Sequence, residues 1–477
     1  MIGYILLGIV AAFLAVILIR TLNFKPKAQP EISNEEVSFD RDAAIDALGQ
    51  LIRCKTVSNR YEDLVDQNEF QKFRDLLKDR YPRIHAAATR TRCGETGVLY
   101  HIPGKSSEKP SVCMAHYDVV PVNEEKWNKP PFAAIIEDGI LWGRGTLDTK
   151  VTMNAILSAA NHLIAEGFVP EHDVYFAFSG GEEVNGLGAP TIVDWFEQNG
   201  ITPAMVVDEG GAVVENVFPG VKQPCGLIGI AEKGMINAQF RCMSAGGHAS
   251  APKPHTPVGV LAAACKKVED HPFKAHIEGP AAQMFDTLGR YSTPLYRMIF
   301  ANMWCFGWVI DLLGRMSGGE MNALVRTTSA FTQMEGSSAR NVIPPEAKMV
   351  ANMRLNPSDT VDSALKYLRS TVNNPAVEIT ALESFEPSPV SRTDCEAWEK
   401  VSAAVAETWR GCIVSPYLMV QCSDSRHYGR ISDHVYRFSA TDLTAAERAT
   451  IHGHNERIRL ESITKAVEFY IRLMKKC

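Results

Sequence analysis

Five short stretches carry side chains able to hold a cation or move a proton. His116-Tyr-Asp118 puts a carboxylate two residues after an imidazole. In extended chain those positions share a face, so Asp118 can take a ring proton and fix the tautomer. Such a pair is also common by chance. Leu141-Trp-Gly-Arg-Gly-Thr-Leu-Asp-Thr-Lys150 ends a glycine-punctuated turn on Asp148, just before a helix-like run from Val151 to Ala165. Taken alone, Asp148 reads as a loop acid capping a helix. Ser179-Gly-Gly-Glu-Glu183 sets two carboxylates side by side. They are either two solvated loop acids or a division of labour, one neutralised by a cation and one taking protons from a bound water. Val207-Asp-Glu-Gly-Gly211 offers Asp208, and Ile451-His-Gly-His-Asn-Glu456 offers two imidazoles. Zinc accepts imidazole and carboxylate at about 2.0–2.2 Å, and paired metals lie about 3.5–4 Å apart, close enough for one aspartate to bridge them. Three carboxylates and two histidines, with an acid left over, suit a two-zinc site.

The elements that must position these residues follow from hydrophobic pattern. Near-continuous apolar runs at Ser111–Ala115, Asp173–Phe178 and Ala204–Val207 read as strands, alternating with helical periodicity over 41–52, 69–78 and 151–165. Apolar strands bounded by helices indicate an α/β sheet buried on both faces. Ligands of such sheets gather beyond the carboxyl ends of the strands, where these acids and histidines stand.

The ordered set His-x-Asp, Gly-Arg-Gly-x-x-Asp-x-Lys, Gly-Glu-Glu, Asp and His-x-x-Asn-Glu resembles the two-zinc aminoacylase and carboxypeptidase family from about residue 40 to the end. The Asp-Glu-Gly-Gly form and an apolar N-terminus look most like carboxypeptidase S and the N-acyl-amino-acid synthase/hydrolase branch. The resemblance implies that His116 and Asp208 hold one zinc and Glu183 and His452 the other, bridged by Asp148. It implies that Asp118 orients His116 and that Glu182 is the general base. His454 is then a neighbour, and Glu456 an acid behind the ligands. Two Zn2+ per subunit are expected, with Co2+ or Mn2+ as substitutes.

The middle of the chain departs from the α/β pattern. Strands near 238–243, 323–334 and 347–355 and helices over 257–268 and 359–370 suit a βαββαβ, ferredoxin-like unit. The resemblance makes it an inserted lid carrying a homodimer contact. His248 would reach the partner's active site to stabilise an oxyanion, and Asn341 and Arg354 would hold the substrate carboxylate. The other reading of Asn341 is a residue that only shapes the turn before Pro344, and that of Arg354 a strand-face charge. Within the insert, Met298–Leu313 is apolar and aromatic, an amphipathic helix either packed in the lid or lining an acyl pocket. Arg426, in Cys422-Ser-Asp-Ser-Arg-His-Tyr428, is expected to shape the site, with His427 no ligand.

The 477 residues carry a net charge of -6 and no basic stripe interleaved with aromatics, which argues against a nucleic-acid partner. Eleven dispersed cysteines without a C-x-x-C fit a reduced compartment better than a disulfide framework. Ile2 to Ile19 is almost purely apolar, and Arg20, Lys25 and Lys27 follow it. That order suits an uncleaved membrane anchor rather than a cleaved signal peptide, and the flanking charges favour a cytoplasmic body. The expected divisions are an anchor (2–19), a linker (20–40), a zinc-exopeptidase-like catalytic domain in two parts (41–230 and 386–477) and the lid (231–385). The expected activity is hydrolysis of a peptide or N-acyl amide bond beside a free carboxylate. Its rivals are a two-zinc aminopeptidase and a catalytically silent binding protein of the same fold.

Overall fold

The apolar runs become the middle of one eight-stranded sheet in a computed structural model that describes residues 1–477. Its strand order is Thr89–Cys93, Gly97–Ile102, His172–Ser179, Ser106–His116, Met205–Val214, Val435–Leu443, Cys225–Glu232, Ile413–Met419. Ser106–His116 runs parallel to both neighbours, while the first three strands pair antiparallel, so the sheet is mixed. Helices flank it. Lys150–Ala165 and Leu460–Met474 cover one face, and Gly188–Gln198 covers the other.

Lys150–Ala165 buries 11 of its 16 residues, which fixes the helix start that follows Asp148. Lys150 itself is buried. Its ammonium donates to the carbonyls of Leu51 (3.1 Å) and Cys54 (2.7 Å) and faces the Phe73 ring. Burial pushes its pKa down to about 8, with only partial compensation from nearby acids.

After Glu232 the chain leaves this sheet and builds another. Gly234–Met243, Thr328–Glu335, Glu346–Leu355 and Val377–Phe385 form an antiparallel sheet with Glu346–Leu355 and Gly234–Met243 in the centre. Helices Pro257–Asp270 and Val361–Val372 pack on it around a separate core of 20 buried residues. Alternating burial along Glu346–Leu355 shows a sheet with one face covered.

The apolar segment near 298–313 does not join that sheet. It breaks at Asn302 into Pro294–Ala301 and Met303–Ser317. Both pack instead over Phe218, Leu227 and Ile413 at the far edge of the main sheet and against the N-terminal helix. That helix, Ile2–Asn23, buries only Ile17. The segment after it is strapped to the body rather than free. Lys27 pairs with Asp286 (2.6 Å), Gln29 accepts from the Val414 N–H (3.0 Å), and Arg472 donates to the Glu35 carbonyl (2.9 Å).

Candidate metal centre

Four carboxyl-terminal strand ends and loops deliver the cluster. His116 ends Ser106–His116, and Glu182 and Glu183 follow His172–Ser179. Asp148 precedes the Lys150 helix, and His452 lies on the loop after Ala445–Arg448 with a left-handed φ of 58°. A non-glycine residue held there marks a backbone over-determined by its surroundings.

Asp148 is the pivot. One of its oxygens lies 2.9 Å from His116 Nε2 and the other 2.9 Å from His452 Nε2. His116 Nε2 also lies 3.2 Å from Glu209 Oε1, and His452 Nε2 lies 3.0 Å from Glu183 Oε2. Two half-sites result, each with an imidazole and a glutamate, sharing one aspartate. Asp118 stands behind the first. The His116 Nδ1–H donates to its backbone carbonyl (3.0 Å), with its carboxylate at 3.4 Å. That carboxylate also accepts from the N–H groups of Glu182 (3.1 Å) and Glu183 (3.3 Å), tying the glutamate turn to the histidine strand.

Glu456 performs the same task for Asp148. One of its buried oxygens accepts from the N–H groups of Gly145 (3.1 Å), Leu147 (2.7 Å) and Asp148 (3.2 Å). Its other oxygen accepts from Arg144 at 2.6 Å. Gly145 has a φ of 89°, the left-handed region that this tight turn requires.

Asp208, which the resemblance groups with His116, lies apart from the cluster. The expected strand ended at Asp208, but it continues to Val214, so residues 208 and 209 point to opposite faces. Asp208 follows Val206 toward Tyr428 and accepts from the Ser425 N–H at 2.9 Å. Glu209 follows Val207 toward the Lys150 helix and reaches the cluster. Asp208 belongs instead to a buried polar layer beneath the site. In that layer Ser179 donates to Asp424, and Glu232 pairs with Arg437 (2.8 Å) and accepts from Ser423 and Ser425.

The electrostatics suit cations. Asp148, Glu182, Glu183 and Glu209 crowd around two imidazoles. Burial pushes the Glu209 carboxyl up to about 8, partly offset by His116, and pushes Glu182 well above the ordinary range, with Asp424, Glu209 and Glu183 adding to it. Hydrogen bonds to Asp148 and Glu183 raise His452 to about 10. Burial opposes charge on His116, yet Glu209, Asp118 and Asp148 overcome it and hold its pKa well above the usual value. Four carboxylates are the charge equivalent of two divalent cations. The second Glu183 oxygen is buried without a hydrogen-bond partner, which leaves it free as a ligand atom. Donor atoms of His116, Asp148 and Glu183 lie within 4.8 Å of one another, as do those of His116, Glu182 and Glu209. The residues therefore fit a metal centre.

A cavity of about 380 Å³ opens from Asp148, Glu182, Glu209 and His452 and continues between Ala212, Val214, Leu227, Tyr417 and Met419. Arg354 reaches its rim, donating to Cys422 Sγ at 3.1 Å. Arg426 donates to Asn185 Oδ1 (3.1 Å) beside the glutamate turn and stacks over Phe385. His248 and Asn341 are not brought to this cluster within the chain. His248 is exposed on Gly247–His248, paired to Val342–Ile343, and Asn341 accepts through its carbonyl from the Ala249 N–H. His427 is half-buried, with its Nε2 out of solvent and unpaired.

Residues 112–476 match the model of peptidase family M20/M25/M40. The chain is 32% identical to a probable carboxypeptidase S-like 2 of Dictyostelium discoideum, over 100% of its own length and 94% of that protein's. It is 33% identical to the N-fatty-acyl-amino acid synthase/hydrolase PM20D1 of Xenopus tropicalis, over 98% and 93%. Its fold resembles that of an M20 family metallo-carboxypeptidase from Sulfolobus solfataricus, with a TM-score of 0.66 at 18% identity, over 91% of this chain and 98% of that one. The chain thus belongs to peptidase family M20/M25/M40 and is a hydrolytic enzyme.

Proposed function

We propose that the protein is a two-zinc amidohydrolase that releases an amino acid from an N-acyl-amino acid whose acyl chain is long and apolar. The observation that carries this is the pair of half-sites sharing Asp148, His116 with Glu209 and His452 with Glu183. Zinc in these half-sites would supply Lewis-acid polarisation of the amide carbonyl and an acidified water. Glu182, held beside them by the Asp118 bond to its N–H, takes the proton from the attacking water and returns it to the leaving amine. The apolar walls at Ala212, Val214, Leu227, Tyr417 and Met419 support an acyl chain in the cavity, and the name of the Xenopus relative agrees. Arg354, bonded to Cys422 at the rim, and Arg426, beside the glutamate turn, would take the free carboxylate, for which a guanidinium is a planar match.

In the same reading the exposed His248 and Asn341 serve the site of a second copy in a homodimer, and Ile2–Asn23 anchors the body to a membrane on its cytoplasmic side. The helix is 22 residues long and holds an 18-residue stretch of mean hydropathy 2.9, enough to cross a bilayer.

The test is hydrolysis by the full-length protein in detergent. Long-chain N-acyl-amino acids, dipeptides and free-amine, carboxyl-amidated peptides are compared with and without a chelator. Chelator-sensitive cleavage of the N-acyl-amino acids supports the reading. Cleavage of the amidated peptides alone would assign an aminopeptidase instead.

A further inference from the structure

The helix Met303–Ser317 turns an apolar stripe away from the body. Trp304, Trp308, Leu312 and Met316, spaced four residues apart, are 56%, 65%, 46% and 76% exposed, with Leu313 beside them. Residues at this spacing share one face of a helix. The opposite face is fixed. Ile310 and Gly314 are buried, and Asp311 pairs inward with the buried Arg326. A contiguous stripe of large apolar side chains marks a contact surface.

The stripe continues from the N-terminal helix. Trp304 packs edge-on against Phe13, with ring centroids 5.7 Å apart. Asn302 donates to the Ile17 carbonyl and to Thr21, and Arg20 donates to the Ala301 carbonyl at 3.2 Å. These contacts set a depth. Phe13 precedes Arg20 by seven residues, about 10 Å along a helix axis. With Arg20 and Lys25 at the headgroups, the Trp304 ring lies about 10 Å below them, inside one leaflet of a hydrocarbon core about 30 Å thick. At 15 residues Met303–Ser317 is too short to cross. An amphipathic helix at that depth lies in the plane of the membrane.

We propose that Met303–Ser317 is embedded in the bilayer leaflet beside the anchor, with Trp304, Trp308, Leu312, Leu313 and Met316 in contact with lipid acyl chains. The inference rests on the reading of Ile2–Asn23 as an anchor. It goes beyond that reading by making the body a membrane-seated enzyme rather than one tethered by a single helix. Glu320, on the short helix that follows, bonds to Arg448 at 2.9 Å, and both line the cavity that leads to Asp148 and Glu182. The far end of the acyl cavity therefore opens beside the embedded helix.

The full-length chain is reconstituted into phosphatidylcholine vesicles with or without lipids brominated midway along their acyl chains. Flotation reads attachment, and tryptophan emission reads depth. The chain has 7 tryptophans, and only Trp304 and Trp308 sit on the stripe. The wild type should float and lose emission to the brominated lipid, and W304F/W308F should float equally and lose none. Flotation without quenching, or quenching that survives in the double variant, overturns the embedded helix and leaves the anchor standing. Failure to float overturns both. A Leu312→Glu variant that turns an assembled form into a monomer in detergent, with no quenching of the wild type, assigns the stripe to a second copy and also overturns the proposal.

Discussion

At the scale of residues, the site is a problem in placing too much negative charge. Glu182 is half-buried near Glu183, Glu209 and Asp424, and desolvation together with their charges holds its carboxyl well above the usual range until cations offset that field. The backbone N–H groups of Glu182 and Glu183 are held by one carboxylate, Asp118, so their roles are separated by where their side chains point rather than by their turn. Glu183 bonds to His452, whereas Glu182 joins His116 and Glu209 without a bond to His452. Glu182→Gln keeps the size and removes the proton carrier. It should lower kcat on an N-acyl-amino acid by about 10²–10⁴-fold with metal content unchanged. Steady-state kinetics beside elemental analysis checks both halves, and retained activity would remove Glu182 from the proton path.

At the scale of elements, parity decides which side chains meet. The sequence pattern located the strands that carry His116, Glu182 and Glu183, because apolar runs ending in polar residues are visible without any partner. It could not show that the Met205–Val214 strand runs past the acids, and one residue of strand length exchanges Asp208 for Glu209. The Gly210-Gly211 pair does not end the strand. It is instead a close approach, since a Cβ on Gly211 would fall 1.9 Å from the Leu227 carbonyl oxygen of the neighbouring strand. The fate of Met298–Leu313 was equally illegible, because amphipathicity names a covered face and not what covers it. The segment Asp424–Arg430 supplies another prediction. Burial, with Arg426 and Arg430 nearby, lowers His427 to about 4, below the ordinary value near 6.5. Between those values the unfolded chain binds the proton that the folded chain refuses, so stability falls as pH drops from 6.5 through 4. His427→Gln should flatten that part of the decline. Between pH 6.5 and 4 the melting temperature of the wild type should fall more steeply than that of the variant, while above pH 6.5 the two curves should run parallel; curves parallel throughout would contradict the assignment.

At the scale of the whole molecule, the chain divides its work between two sheets. The eight-stranded sheet gathers the cluster, and the four-stranded unit carries His248 and Asn341 on its exposed surface with no target in the same chain. If these serve a second copy, two inactive proteins can repair each other. A Glu182→Gln chain supplies an intact His248, and a His248→Ala chain supplies an intact Glu182. Mixing the two under conditions that exchange subunits should restore hydrolysis partially, and no recovery would place His248 outside the reaction. The centre itself is tested most directly by the metal content of three full-length proteins: wild type, Glu209→Gln and Asp208→Asn. Two half-sites sharing Asp148 predict two zinc ions per chain in the wild type and in Asp208→Asn, and a loss of about one in Glu209→Gln, where a ligand is removed from the His116 side. Two ions kept by Glu209→Gln and one lost by Asp208→Asn would contradict the account, and would return Asp208 to the place that the sequence alone suggested.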